Sequence, residues 1–311
     1  MSPVVPSTPI IRLYDELHQR GISRHQKLAR AQQFVANPGL LAALFRDSVT
    51  KMSAYRPASE GYYKSRTHYE VGDVMSSSTT DLALRIRDAD GLSPAPCGEA
   101  QLLDTESLKA PGVTGVPASS LACDFLDREL VATRTTGGVT HEGTAVRLDL
   151  LLCNSSDGTP IIAEVKRTSD VNPLKHHYKP ATDQDPFSAL VQALACAAQL
   201  ATPAQYARLT RWGRTETRGQ KDYPAEANIA ACDPPVFDIY VVLHNRPQGT
   251  HLPELGAEAE RLGALLLAQP SVSHHVRRIA CLLTQLDAGQ LHAQAQWAYE
   301  RPKETAGSRS S

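Results

Sequence analysis

Two apolar runs separated by a short polar turn constrain the fold of this chain more than any other stretch. The first run spans residues 146–152, the second begins at Pro160, and Asn-Ser-Ser-Asp-Gly at 154–158 lies between them. Asn, Asp and Gly suit a tight turn, so the pattern predicts a hairpin of two strands. Acid interrupts both runs, at Asp149 and at Glu164. A buried carboxylate lowers stability unless another group compensates its charge. We therefore expect this hairpin to hold a functional site.

The three charged residues of the hairpin are spaced so that they share one face. Glu164 and Lys166 are two residues apart on one strand, and antiparallel pairing would bring Asp149 beside Glu164. Two adjacent carboxylates repel unless a cation lies between them. Mg²⁺ prefers oxygen ligands, takes one or two carboxylates and keeps sites for water and phosphate oxygens. The pattern therefore predicts a Mg²⁺ or Mn²⁺ site held by Asp149, Glu164 and the carbonyl of Val165. Lys166 is expected to assist the attacking water or the transition state of phosphodiester hydrolysis.

Predicted helices flank the hairpin. Apolar residues from Leu121 to Leu130 give a helical stripe, and a second, almost wholly apolar helix begins at Asp185-Pro186 and runs to about Leu200. Glu129 on the first helix could complete the carboxylate set, and Gln192 on the second could face it. A solvated helix charge explains Glu129 equally well, and Gln192 could simply line a cavity. A surface ion pair would explain Glu164 and Lys166, but it leaves Asp149 without an explanation.

Asp149, fourteen intervening residues and then Glu164-Val165-Lys166 form a pattern that resembles the PD-(D/E)xK nuclease superfamily, with its restriction-endonuclease-like fold. The resemblance also uses the flanking helices and covers roughly residues 121–209. It implies a metal-dependent nuclease that hydrolyses DNA, although the residues do not distinguish DNA from RNA. The catalytic residues it implies are Asp149, Glu164, Lys166, Glu129 and Gln192. The alternative is a nuclease-fold module that binds nucleic acid or protein without cutting it.

The order of predicted elements gives the fold class. From residue 121 onward it is helix, strand, strand, helix, strand, helix, strand, with the last three at 236–243, 252–268 and 275–286. This order predicts an α/β fold with a mixed central sheet flanked by helices, a restriction-endonuclease-like core. The N-terminal region is predicted to be mainly helical, with helices near 9–20, 23–35 and 40–52 and short strands near 62–75 and 81–88. We expect a basic N-terminal region at 1–100, a nuclease-like domain at 101–300 and a polar tail at 301–311.

Charge is segregated along the chain. The formal net charge is −1, but residues 1–70 contain ten basic and five acidic side chains. A solvated basic face explains this as well as a nucleic-acid partner does. The residues expected to contact phosphate groups are Arg147, Arg167, Lys175, His176, His177 and Lys179. A homodimer would fit this chemistry, because one such site cuts one strand at a time.

Several other classes of protein lack support in the sequence. The six cysteines contain no C-x-x-C pair, which argues against a zinc ribbon or a disulfide scaffold and favours a reducing compartment. The N-terminus lacks the pattern of a secretory signal, and no apolar stretch is long enough to span a membrane. We therefore expect a cytoplasmic protein with no membrane partner. The chain has no Walker A loop, no G-x-S-x-G and no G-x-G-x-x-G motif.

Overall fold

The computed structural model describes residues 7–19, 22–54, 59–63, 78–89, 91–96, 110–136, 139–142, 146–167, 185–209, 229–244 and 254–301. The helices are α1 (Pro9–His18), α2 (Arg24–Ala36), α3 (Pro38–Ala54), α4 (Ser78–Asp88), α5 (Pro186–Leu200), α6 (Pro203–Leu209), α7 (Glu254–Leu267) and α8 (Pro270–Ser273), with a 3₁₀ turn at Ala118–Leu121. The strands are β1 (Ser59–Tyr63), β2 (Thr114–Gly115), β3 (Cys123–Thr136), β4 (Val139–Glu142), β5 (Leu148–Asn154), β6 (Pro160–Arg167), β7 (Phe237–His244), β8 (Val276–Asp287) and β9 (Gln290–Glu300).

The strands join into one mixed sheet. Its order is β1-β3-β5-β6-β7-β8-β9-β2, with β4 paired to β3. Strands β3, β5 and β6 are antiparallel, whereas β6, β7 and β8 are parallel. Parallel neighbours need a crossover connection, and α5 and α7 lie in the two connections. The predicted α/β fold with a mixed sheet, flanking helices and a helical N-terminal region is confirmed.

Helix α5 lies at the centre of the molecule. Every one of its residues is buried, as expected for a helix that is apolar all round. It packs on β6 and β7 on one side and on α1 and α3 on the other. Asp185 caps its first turn by accepting a hydrogen bond from the Ser188 amide at 3.0 Å. The sheet face under α5 and the N-terminal helices therefore share one hydrophobic core.

The opposite sheet face packs against α4. Leu82, Ala83 and Ile86 of this helix belong to a second apolar cluster together with Leu150 and Ala163. Residues 81–88 were expected to form a strand because Leu82, Leu84 and Ile86 alternate, and that expectation is wrong. The apolar residues of this cluster, Leu82, Ala83 and Ile86, have helical spacing, although the same segment also alternates like a strand. Packing against the sheet therefore selects the helix from the two structures that the sequence allows.

The helix expected at residues 121–130 is also wrong, because this segment belongs to β3. A bulge shifts the register between Phe125 and Asp127. Phe125 belongs to the cluster on the α4 side and its neighbour Leu126 to the core under α5, the ordinary alternation of a strand whose two faces are both covered. Because both residues are apolar and buried, the sequence does not show that alternation and imitates a helical stripe.

Several expected elements agree with the structure, and others were missed. The hairpin, α5, and the later elements β7, α7 and β8 are confirmed to within two residues at each end. Strand β9 was not expected; Ala288 and Gly289, both with positive φ, turn the chain into it. The strand expected at 62–75 corresponds only to the start of that range, in β1, and residues 64–75 lie outside the described residues. None of the helices in the described ranges is long and apolar enough to cross a membrane.

The turn of the β5–β6 hairpin is fixed by its own hydrogen bonds. The Gly158 amide donates to the Asn154 carbonyl, and the Asn154 amide donates to the Thr159 carbonyl, both at 2.9 Å. Gly158 has φ 73°, a left-handed conformation that suits glycine. The turn sets a register that runs from the pair Cys153–Pro160 to the pair Leu150–Ala163.

Candidate active site

The hairpin register brings the two acids together. The position after the pair Leu150–Ala163 places Asp149 opposite Glu164. Asp149 Oδ2 accepts a hydrogen bond from the Val165 amide at 2.9 Å, so its carboxylate lies across the end of the ladder between β5 and β6. Glu164 is only 1% exposed, whereas Asp149 is half-buried. The two carboxylates therefore lie between the sheet and α5, one at the rim and one inside.

Lys166 and Gln192 join the acids in one hydrogen-bonded group. Lys166 Nζ donates to Glu164 Oε1 at 2.8 Å and to Gln192 Oε1 at 2.9 Å. The Gln192 amide nitrogen in turn donates to the Arg147 carbonyl at 3.2 Å. Gln192 thus links the ammonium of β6 to the backbone at the start of β5. Because Glu164 is buried, its pair with Lys166 is not an ion pair on a solvated strand face.

The site carries an excess of negative charge. Burial raises the pKa of Glu164, neighbouring Asp149 raises it further, and Lys166 only partly opposes this, so the pKa lies well above its usual range. Burial alone would lower the pKa of Lys166, but Glu164 and Asp149 outweigh it and raise that pKa. With both acids ionised, two carboxylates and one ammonium leave one formal negative charge, which a proton on Glu164 or a bound cation would compensate.

One acceptor atom marks where compensation is missing. Glu164 Oε2 is buried and has no hydrogen-bond partner among the described residues. A buried, unpaired carboxylate oxygen is costly, and a bound cation is one way to satisfy it. The residues present therefore fit a divalent cation held by Asp149 and Glu164.

The predicted ligand Val165 is suitably placed. Its N–H points toward β5, where it reaches Asp149. The N–H and C=O of one residue in a strand point to the same edge, so the Val165 carbonyl is directed toward β5 as well. It is available as a third oxygen beside the two carboxylates.

Glu129 lies in β3 and not in a helix. Its neighbours Arg128 and Leu130 pair with Leu150 and Leu148, so its backbone position is opposite Asp149. Its side chain lies outside the described part of the structure. Among the side chains that are described, no group of three or more His, Cys, Asp or Glu residues could hold a metal ion.

The predicted phosphate-contacting residues are only partly described. Arg147 is exposed next to the start of β5, close to Gln192. Arg167 ends β6, and its side chain lies outside the description. Lys175, His176, His177 and Lys179 all fall in 168–184, which is likewise outside the described residues.

Three residues near the site were missed as site residues. Cys196 lies one turn after Gln192 on α5, and burial and then the charges of Glu164 and Asp149 raise the pKa of its thiol well above the usual range. It is therefore a protonated thiol, not a nucleophile.

The other two residues, Tyr14 and His18, come from α1, which packs against α5. In the sequence, Tyr14 and His18 have i, i+4 spacing and follow the apolar residues Leu13 and Leu17, which are buried in α1. That spacing does not indicate which site the two residues approach.

Comparisons of the chain with protein-family models, with curated proteins and with solved structures found no match.

Proposed function

We propose that this chain is a magnesium-dependent nuclease that hydrolyses phosphodiester bonds of DNA, with a restriction-endonuclease-like core. The observation that carries the proposal is the buried pair Asp149–Glu164 with Lys166 beside it and Glu164 Oε2 left without a hydrogen-bond partner in the described residues. A single structural ion pair needs one acid, whereas this site holds two.

Charge balance connects the site to its proposed substrate. The group of Asp149, Glu164 and Lys166 has one formal negative charge. A divalent cation would leave it with one positive charge, which a phosphodiester group with its single negative charge would neutralise. A proton on Glu164 balances the site when no metal is bound, whereas metal and phosphate together balance it in the arrangement that phosphodiester hydrolysis needs.

The chain's own residues take distinct roles in this proposal. Asp149 and Glu164 would hold Mg²⁺ or Mn²⁺ together with the Val165 carbonyl, and Glu129 has a backbone position next to them. The metal would supply Lewis-acid stabilisation and a lower pKa for bound water. Lys166, fixed by Glu164 and Gln192, would place an ammonium where negative charge develops on the phosphate.

A binding module without catalysis is the second candidate function. The observation in its favour is the Lys166–Glu164 contact at 2.8 Å, which compensates part of the buried charge without a metal. In such a module, Asp149 would only accept a hydrogen bond from the Val165 amide at the end of the ladder between β5 and β6. The two candidates differ in whether the chain turns over a substrate.

The first test is cleavage by the full-length chain. We expect the wild type to nick or degrade plasmid or oligonucleotide DNA with Mg²⁺ or Mn²⁺ and to be inactive in EDTA. Glu164→Gln and Lys166→Met should each reduce the rate on the order of 100-fold or more, the scale seen when one electrostatic stabiliser is removed. Glu258→Gln on α7, a largely buried acid away from the hairpin, is the matched control and should retain activity. Wild-type protein without cleavage of any DNA or RNA would favour the binding module.

A second test measures metal binding without turnover. A ligand that binds only the folded state at 100 times its Kd adds about 2.7 kcal/mol of stability. We therefore expect Mg²⁺ to raise the melting temperature of the wild type by a few degrees. Asp149→Asn and Glu164→Gln should lose this shift, whereas Glu258→Gln should keep it. An equal shift in all four proteins would place the metal elsewhere.

A further inference from the structure

Helix α1 presents a pair of aromatic rings in close, tilted contact. The ring centroids of Tyr14 and His18 are 4.1 Å apart with an interplanar angle of 37°. His18 Nδ1 also lies 2.9 Å from the Tyr14 carbonyl, a contact that holds the imidazole ring against the helix. Tyr14 is partly exposed and His18 is exposed. The pair is therefore ordered and accessible at the same time.

Tyr14 packs at the edge of the core, but the fully buried residues of α1 are others. Ile10, Ile11, Leu13 and Leu17 form the buried side of the helix. Tyr14 and His18 follow the same i, i+4 spacing as Leu13 and Leu17, one position further along. They therefore form a stripe at the edge of the contact between α1 and the core.

This stripe lies on the helix that packs against α5, and α5 carries Gln192, which binds Lys166 of the candidate active site. Burial raises the pKa of Tyr14, Lys166 lowers it, and Glu164 and Asp149 raise it, so the phenol lies within range of all three charges. Although the residue is exposed overall, partial desolvation of the imidazole lowers the pKa of His18, and the charge of Lys166 contributes in the same direction. These couplings agree with the packing of α1 on α5 and place both rings on the side of the group that would hold the scissile phosphate.

We propose that Tyr14 and His18 form a stacking platform for an unpaired nucleobase next to the scissile phosphate, which makes single-stranded DNA the preferred substrate class. The inference rests on the proposed nuclease function. Aromatic side chains bind single strands because every base has a face that can stack on them, whatever the sequence. In a duplex those faces are already stacked on neighbouring bases, so the platform would be of little use.

Binding in EDTA tests the platform without cleavage. The probe is a short fluorescent oligothymidylate, with the same length of duplex DNA as comparison, titrated with the full-length chain. We expect Tyr14→Leu and His18→Leu each to weaken single-strand binding about tenfold, since stacking of one base contributes about 1–3 kcal/mol. Tyr14→Phe keeps the ring and should bind like the wild type. His25→Leu replaces an exposed histidine on α2 and should also bind like the wild type.

The outcomes separate this inference from the proposed function. Wild-type binding by both leucine variants would overturn the platform, and so would an equal loss for duplex DNA or a failure of the wild type to bind the single strand. Absence of cleavage in the earlier test would overturn the nuclease but would leave these affinities readable, because no metal is present. Far-UV circular dichroism and thermal unfolding check that α1 remains folded, and the exposed His18 position keeps the test valid if Tyr14→Leu is unstable.

Discussion

Gln192 shows how much a single polar side chain can do in a buried helix. It accepts from Lys166 and donates to the Arg147 carbonyl, so both ends of its amide are used. Without it, Lys166 would keep only Glu164 as a described hydrogen-bond partner, and the start of β5 would lose its link to α5. Gln192 therefore positions Lys166 relative to the two acids.

We expect Gln192→Leu to lower the free energy of unfolding by about 1–3 kcal/mol, because a carbonyl and an ammonium lose a buried partner. The cleavage rate should fall by more than the loss of stability explains, because Glu164 alone would then hold Lys166. Gln199→Leu on the same helix is the control: the Gln199 amide donates to Ala195 of its own helix, so we expect a smaller loss and normal cleavage. Urea titration and initial cleavage rates at saturating DNA provide the comparison. Equal effects of the two variants would contradict the role given to Gln192.

At the scale of residues, the sequence predicted those site residues whose relative positions depend only on nearby parts of the chain. Asp149, Glu164 and Lys166 are related by a hairpin turn and by two-residue alternation, which a sequence reveals directly. Tyr14 could not be found in the same way. Its place beside Lys166 depends on the packing of α1 against α5, and no local pattern encodes that contact.

At the scale of elements, the errors concern segments whose environment changes along their length. Phe125 and Leu126 of β3 are both buried, one on each face of the sheet, and the register shift between Phe125 and Asp127 is visible only in the pairing with β5. Helix α5 was predictable because a residue that caps it, a proline in its first turn and an unbroken apolar run all agree. Elements with several agreeing local signals were predicted correctly. Elements whose conformation depends on the strands and helices packed against them were not.

The contact between α7 and β9 should make stability depend on pH. Glu260 of α7 accepts a hydrogen bond from the Tyr299 hydroxyl at 2.8 Å, and burial raises the pKa of Glu260 to about 7. The folded state therefore holds a proton that the unfolded state releases, so stability falls as the pH rises from about 4.5 to about 7. Glu260→Gln still accepts from Tyr299 but cannot ionise. We expect it to be more stable than the wild type at pH 8 by roughly 2 kcal/mol and similar at pH 4.5.

Urea denaturation across this pH range measures the difference. Glu254→Gln, in the first turn of the same helix and exposed, should show no such gain. A pH-independent difference between Glu260→Gln and the wild type would show that Glu260 does not titrate in this window.

At the scale of the whole molecule, the N-terminal helices and the sheet are not independent in their packing. Phe45 of α3 is fully buried, and its ring lies edge-on to His275, 6.4 Å between centroids, just before β8. Ile10 and Leu41 belong to the same hydrophobic core as Phe187 of α5. The boundary expected near residue 100 stays a prediction, but α1–α3 complete the core over the sheet.

We therefore expect one cooperative unfolding transition. Phe45→Ala should lower the free energy of unfolding by about 3–5 kcal/mol, the usual cost of removing a buried phenylalanine. Because the core is shared, helical circular dichroism and tryptophan fluorescence should shift together. Leu40→Ala, on the same helix but 42% exposed, should change stability by less than about 0.5 kcal/mol. Two separate transitions would instead indicate an autonomous N-terminal domain.

The turn at residues 154–159 determines more than the direction of the chain. Strand side chains alternate between faces, so a slip of one residue would move one of the two acids through the sheet and away from the other. The tip of the turn, residues 155–157, is exposed, and the turn contains none of the site residues. A change in its length that altered the pairing would nevertheless abolish the site while every residue of the site stayed intact. Insertions and deletions here are therefore a route by which related sequences could lose the chemistry while keeping the fold.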